Sequence, residues 1–226
     1  MKKKKLPNWV SNQLLRRIIQ SKIGTYISYW VFQGMLYMDC REVVFKLLID
    51  IVLSFLVYYM GNVSLSISFL IAHTLNMFFN GHYFAMRRHM GLGKTNPKYF
   101  INYTEKLQER VKNNPHILAA AAYGSLSNNV FRPTSDIDIR FIPHNNTSSF
   151  FRVCFFAFFE RARALLMKFP IDLYVFDIAK IDKKMNPKEP PIIFYDPKNM
   201  LRRKYYKILQ ADDFIVKFKS TYVDEE

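Results

Sequence analysis

The stretch ILAAAAYGSLSNNVFRPTSDIDIRFI, Ile117 to Ile142, decides the fold. Its first part, Ile117 to Tyr123, is small or apolar throughout and reads as a buried strand. Gly124 and Ser125 follow at once, and a short helical stretch is expected to begin there. Asp136-Ile137-Asp138-Ile139-Arg140 then alternates polar and apolar, the period of a half-buried strand. In that alternation Ile137, Ile139 and Phe141 face a core, while Asp136, Asp138 and Arg140 share the opposite face. The two carboxylates would stand about 6–7 Å apart along the strand.

Carboxylates fixed side by side repel unless a cation lies between them, and hard oxygen ligands favour magnesium or manganese. Gly124 would let a phosphate approach the backbone, Ser125 adds a hydroxyl, and the amides of a helix start favour an anion. A third carboxylate, Asp172, lies in the next strand-like run, Ile171 to Phe176. There Ile171, Leu173 and Val175 form the apolar face and Asp172 points the other way. It can complete a two-metal site, one ion activating an acceptor hydroxyl and the other steadying a departing pyrophosphate. The candidate catalytic and metal-binding residues are therefore Asp136, Asp138 and Asp172, and the candidate nucleotide contacts are Gly124, Ser125, Ser135 and Arg140.

The run YGSLSNNVFRPTSDIDI resembles the signature of the polymerase-β nucleotidyltransferase superfamily, in which Gly with Gly or Ser precedes Asp-x-Asp, with a further Asp on another strand. The order helix, strand, short helix, strand Ile137 to Ile142, long helix Ser149 to Lys168, strand Ile171 to Phe176 is similar to that of its minimal members. The resemblance implies an α/β (α+β) domain with a short mixed sheet, Gly124 and Ser125 on the triphosphate, and Asp136, Asp138 and Asp172 on metal. Two features depart from the pattern. Ser127, Asn128 and Asn129 stand where many members have Ala-Arg-Gly, and Arg140 stands where an apolar residue is usual.

Upstream of Gly91 to Pro97 the chain is helical and unusually apolar. An amphipathic leader, Trp9 to Phe32, is followed by Val43 to Tyr59, which carries Lys46 and Asp50, and by Val63 to Met86, which carries no acidic or basic residue except His. The last could reach about 35 Å as a helix, longer than the hydrocarbon core of a bilayer. Lys2 to Lys5, Arg16 and Arg17 precede this pair, and Arg87, Arg88 and Lys94 follow it. Both ends are thus expected in the cytoplasm, with a helical hairpin dipping into or through a membrane, or lying at its surface. His73, Asn76 and Asn80 recur on one face and are expected to form an interhelical hydrogen-bonded seam. This half looks like that of uncharacterised membrane-associated relatives of the superfamily.

The expected division is a helical module over 1–92, a nucleotidyltransferase domain over 99–197 and a basic helical tail over 198–226, the middle domain staying soluble without the first. Glu189 to Pro197 reads as an edge strand, and Phe150 to Phe159 as a helix face packed on the sheet. Cys40 and Cys154 form no disulfide framework, and no secretory leader is expected because the first lysines run into polar sequence. A net charge of +15 calls for an anionic partner: a nucleoside triphosphate, a phospholipid surface or nucleic acid. The expected activity is transfer of a nucleoside monophosphate from a triphosphate to a hydroxyl, dependent on magnesium or manganese, at the cytoplasmic face of a membrane. The acceptor could be a lipid-linked, glycan or protein hydroxyl. Nucleotide addition to RNA ranks lower because no RNA-binding module is visible. A membrane-bound nucleotide sensor or scaffold, its carboxylates neutralised by Arg140, is the non-enzymatic alternative.

Overall fold

Every residue of β1 (Ile117–Tyr123) is buried, because this strand lies in the middle of the sheet and is covered on both faces. The computed structural model describes residues 13, 17, 21–80, 83, 94–128, 130–181 and 189–224. β2 (Ile137–Pro143) runs antiparallel to β1 and parallel to β3 (Ile171–Val175). On the other side β4 (Ile192–Tyr195) pairs antiparallel with β1, and β5 (Leu209–Gln210) lies parallel to β4. The order β3-β2-β1-β4-β5 makes a mixed sheet of five strands, as the α/β reading requires. The segment expected as an edge strand is instead an inner one, since β5 covers the outer side of β4.

Ile137, Ile139, Phe141, Ile171, Leu173 and Val175, with Ile117, Ala120, Ala122, Ile192 and Phe194 of the neighbouring strands, supply the sheet's half of the main core. Over them lie α4 (Pro97–Lys112), α5 (Thr147–Leu166) and α6 (Ala211–Tyr222). Asn96 and Asn146 cap the first two, accepting hydrogen bonds from the Tyr99 and Ser149 amides, so both helices start where their side chains can satisfy the free N–H groups. The expected basic tail divides differently. Residues 198–208 are turns that expose Arg202, Arg203, Lys204 and Lys207, and α6 then inserts Phe214, Ile215 and Phe218 into the core. The C-terminal helix is therefore part of the domain.

Among the described residues the N-terminal half holds α1 (Lys22–Phe32), α2 (Cys40–Gly61) and α3 (Leu65–Phe79). The start of the leader, Lys2 to Lys5, Arg16, and the stretch with Arg87 and Arg88 lie outside the described residues. By length and composition α2 can cross a membrane, its 22 residues spanning ~33 Å. Val63 to Met86, expected as the longer span, is interrupted: α3 ends at Asn80, after 15 residues or ~22 Å.

These two helices are inside out. The buried residues of α2 are Glu42, Phe45, Lys46, Asp50 and Ser54, whereas Val44, Leu47, Leu48, Ile51, Val52 and Phe55 are exposed. In α3, Ser68, His73 and Asn76 are buried and Ile67, Phe69 and Leu70 exposed. The buried groups satisfy one another, as polar groups withdrawn from water must. His73 Nδ1 lies 2.9 Å from Asp50 Oδ2, Asn76 donates to Asp50 Oδ1 at 2.7 Å, and Lys46 Nζ donates to the Gln33 carbonyl at 2.6 Å. This is the seam expected of His73, Asn76 and Asn80, with the two charges of α2 added to it.

The seam continues into the C-terminal half. Arg161 of α5 donates to Asn80 Oδ1 at 3.2 Å and to the Leu173 carbonyl at 2.5 Å, and it pairs with Glu42. Glu42 in turn accepts from the Val175 amide at 3.0 Å. At the base of α2, Asp39 receives Lys180 at 2.8 Å and Arg41 reaches Asp177 at 2.9 Å. Burial works against the Asp39 charge, but hydrogen bonds from Lys180 and the Arg41 backbone outweigh it and hold its carboxyl below the ordinary range. The change of composition near Gly91 to Pro97 marks a boundary in sequence, while the hairpin is fastened to the C-terminal half by the buried Glu42–Arg161 pair and by the partly exposed pairs of Asp39 and Arg41.

Candidate active site

The ends of three strands meet where β1 stops and β2 and β3 begin. Tyr123 is the register partner of Asp138 across the antiparallel pair, and Asp138 is the partner of Asp172 across the parallel one. Adjacent strands lie about 4.8 Å apart, so register alone brings Asp138 and Asp172 side by side on the face away from the core. Ile137, Ile139 and Ile171 on the other face are 4% exposed or less, which fixes that orientation. Asp136 sits one residue before β2 and is buried at 8% exposure, on the same side as Asp138 by strand alternation.

Gly124 completes this corner. Its φ is +89°, and a Cβ there would lie 2.6 Å from Asp138 Oδ2. The missing side chain therefore does two things: it permits the turn out of β1 and leaves room for a carboxylate against the backbone. Gly124→Ala is expected to lower stability by about 1–3 kcal/mol, the cost of a strained non-glycine conformation, and to displace the Asp138 carboxylate. Thermal unfolding reads the first effect and Mn2+ binding the second; wild-type behaviour in both would mean the turn relaxes freely.

The other expected nucleotide contacts fare differently. Ser125 begins a single 3-10 turn, Ser125–Asn128, and its side chain lies outside the described residues. One such turn has no helix macrodipole to offer an anion, so the helix-start argument does not hold here. Ser135 is a turn residue: its hydroxyl accepts from the Arg132 amide at 2.9 Å, and its own amide donates to the Arg132 carbonyl at 2.7 Å. Arg140 does share the face of the carboxylates, as the alternation predicts. Its Nη1 donates to the carbonyls of Ile139 at 3.0 Å and Asp172 at 3.1 Å, and Nη2 lies 4.0 Å from Asp172 Oδ2.

The guanidinium lies over the Tyr174 ring, 4.7 Å from its centroid, and Tyr174 stacks on Phe176. Burial and, after it, the Asp172 charge push the Tyr174 phenol above its ordinary range, so it stays a neutral platform. Met38, between α1 and α2, packs into the same cluster, so the N-terminal half walls one side of the site. Tyr174, Phe176 and Met38 escape a reading by strand alternation, which assigns Tyr174 only to a polar face. Glu42 escapes for another reason. Asp39 and Glu42 have the spacing of a helix-capping pair, which hides the reach of Glu42 to β3.

Two in-register carboxylates beside a bare glycine backbone fit a hard divalent ion, which commonly takes one or two carboxylates and fills its shell with water or phosphate oxygens. Among the described residues, no three His, Cys, Asp or Glu side chains are gathered closely enough to hold a metal, so Asp136 does not join the pair in a preformed triad. No curated protein matches the chain. Residues 105–195, from within α4 to the last residue of β4, match the family model described as polymerase beta, nucleotidyltransferase, which supports membership of this segment in that superfamily and a nucleotidyltransferase activity in general.

Proposed function

We propose that the protein is a metal-dependent nucleotidyltransferase that moves a nucleoside monophosphate from a triphosphate to a hydroxyl acceptor at the cytoplasmic face of a membrane. The observation that carries this reading is the in-register pair Asp138 and Asp172 against Gly124. Asp138 and Asp172, with Asp136, would hold magnesium or manganese, which supplies the positive charge a triphosphate needs for displacement at phosphorus. Gly124 lets the Asp138 carboxylate lie against the backbone, and Arg140, steadied on Tyr174, offers a guanidinium to a phosphate on the same face. The acceptor oxygen forms the new bond to the α-phosphorus and the bond to pyrophosphate breaks. Asp172, on the outer strand, belongs to the acceptor side.

Membrane attachment is supported by the outward apolar residues of α1, α2 and α3. Phe155 and Phe159 of α5 extend that surface, Phe155 lying 4.7 Å from the Phe45 ring. The net charge of +15 suits an anionic leaflet and an anionic nucleotide. A sensor without turnover is the second reading, favoured by the 4.0 Å approach of Arg140 to Asp172.

Full-length protein in nanodiscs, titrated with each nucleoside triphosphate with and without magnesium, separates the two. Magnesium-dependent binding with pyrophosphate release is the outcome for the enzyme. Arg140→Ala should then weaken nucleotide binding by about 1.5–3 kcal/mol, the range for a hydrogen bond to a charged group. Tighter magnesium binding in that variant, with nucleotide affinity unchanged, supports the sensor. Membranes carrying the protein should retain it in high salt, because apolar insertion is not screened; complete release would leave only an electrostatic contact.

A further inference from the structure

We infer that Glu42, reaching from the helical hairpin, is a positioning residue for nucleotidyl transfer: with Arg161 it stands in for a missing neighbour strand along β3 and so fixes Asp172. The inference rests on the transferase reading above. Among the described residues β3 is the outermost strand on its side of the sheet, with β2 on its inner edge. Such an edge presents unpaired amides and carbonyls, and an unsupported edge strand frays readily.

Here the outer edge is closed by side chains. Arg161 donates to the Leu173 carbonyl at 2.5 Å, Glu42 accepts from the Val175 amide at 3.0 Å, and the two are paired with each other. Their side chains are 3% and 1% exposed, so no water competes for these bonds. The bonded carbonyl and amide belong to alternate residues of the strand, the pattern in which a real neighbour strand would engage them. On the inner side Arg140 holds the Asp172 carbonyl at 3.1 Å. The peptide carrying Asp172 is thus clamped from both edges, one clamp coming from the N-terminal half of the chain.

The consequence is catalytic because the distance between Asp138 and Asp172 depends on where β3 sits against β2. A displacement of about 1 Å at a reacting centre can lower a rate by about a hundredfold. Glu42→Ala removes the acceptor for Val175 and leaves Arg161 unpaired. Glu42→Gln keeps an acceptor oxygen of the same reach while removing the charge. Trp30→Phe removes the hydrogen bond from Trp30 Nε1 to Thr74 Oγ1, between two helices of the N-terminal half, and serves as a destabilised control.

In nanodiscs, Glu42→Ala should speed hydrogen exchange at the Val175 amide by more than about tenfold. It should lower kcat for pyrophosphate release by about 10–100-fold with KM for the triphosphate within about twofold. Glu42→Gln should regain most of the kcat even though the charge is gone, and Trp30→Phe should lower the unfolding temperature and leave kcat alone. In a protein that turns over, unchanged Val175 exchange or unchanged kcat in Glu42→Ala overturns the inference. So does an equal loss of kcat in Trp30→Phe. A wild-type protein that neither binds Mn2+ nor releases pyrophosphate overturns instead the transferase reading, and the positioning role with it.

Discussion

Arg161→Ala should destabilise the full chain by about 3–5 kcal/mol, the range for breaking a buried ion pair from one side. The cost arises in what is left behind. Glu42, with its side chain 1% exposed, would lose its guanidinium partner, and the Leu173 carbonyl and Asn80 Oδ1 would each lose a donor. Arg161→Lys should recover little, because a single ammonium cannot reach three acceptors arranged for a planar fork. Replacing Glu42 and Arg161 together with apolar residues should be milder than Arg161→Ala alone, since no charge remains buried, though the Val175 amide stays unsatisfied. Urea unfolding in detergent reads all three; a loss under about 1 kcal/mol would mean that water enters and solvates Glu42.

Removing the hairpin altogether should go further. The sequence suggests a soluble domain beginning near residue 99, because apolar content falls sharply there. The structure gives the opposite expectation: truncation would uncover Arg161, unpair the outer edge of β3 and bare the α5 surface around Phe155. Aggregation through the freed edge is the expected result by size-exclusion chromatography. A monodisperse truncated domain would show that the hairpin is an attachment and not a structural neighbour.

Local pattern carried the sheet. Alternation over Asp136 to Phe141 predicts which side chains face the core, because the strand period of two leaves no other arrangement once Ile137, Ile139 and Phe141 must be buried. The same logic puts Asp172 on the face of Asp138, and only pairing register, which no single segment encodes, makes them neighbours. Ser135, read as a nucleotide contact from its place beside two aspartates, also closes the turn from Arg132, its hydroxyl accepting from that residue's amide. In the hairpin, apolar content pointed to Val63 to Met86 as the longer span, yet helix length depends on where the backbone stops, and Asn80 stops it. Lys46 and Asp50 looked like flaws in a span and are instead the interior of the pair. Pairing between distant residues, Glu42 with Arg161 or Asp50 with His73, has no local signature, which is why the union of the two halves was not legible.

Asp138→Asn should reduce pyrophosphate release by about a thousandfold or more, some ~4 kcal/mol of transition-state stabilisation, while leaving the fold intact. Asn has the shape of Asp, so it fits the space that Gly124 leaves at 2.6 Å from the Asp138 carboxylate. The backbone partners of position 138, Tyr123 and Asp172, are set by the ladder, which the substitution leaves in place. What the change removes is the negative charge facing Asp172, and with it part of the repulsion that a divalent ion relieves. Mn2+ affinity should fall together with turnover, and circular dichroism should not move. Asp172→Asn should differ in kind, retaining triphosphate binding and losing transfer, because the role proposed for it is on the acceptor side. Should Asp138→Asn unfold the chain, the carboxylate is a structural anchor for the Gly124 turn. Should it turn over at the wild-type rate, the pair on β2 and β3 is not where the metal acts, and the transferase reading fails at its centre.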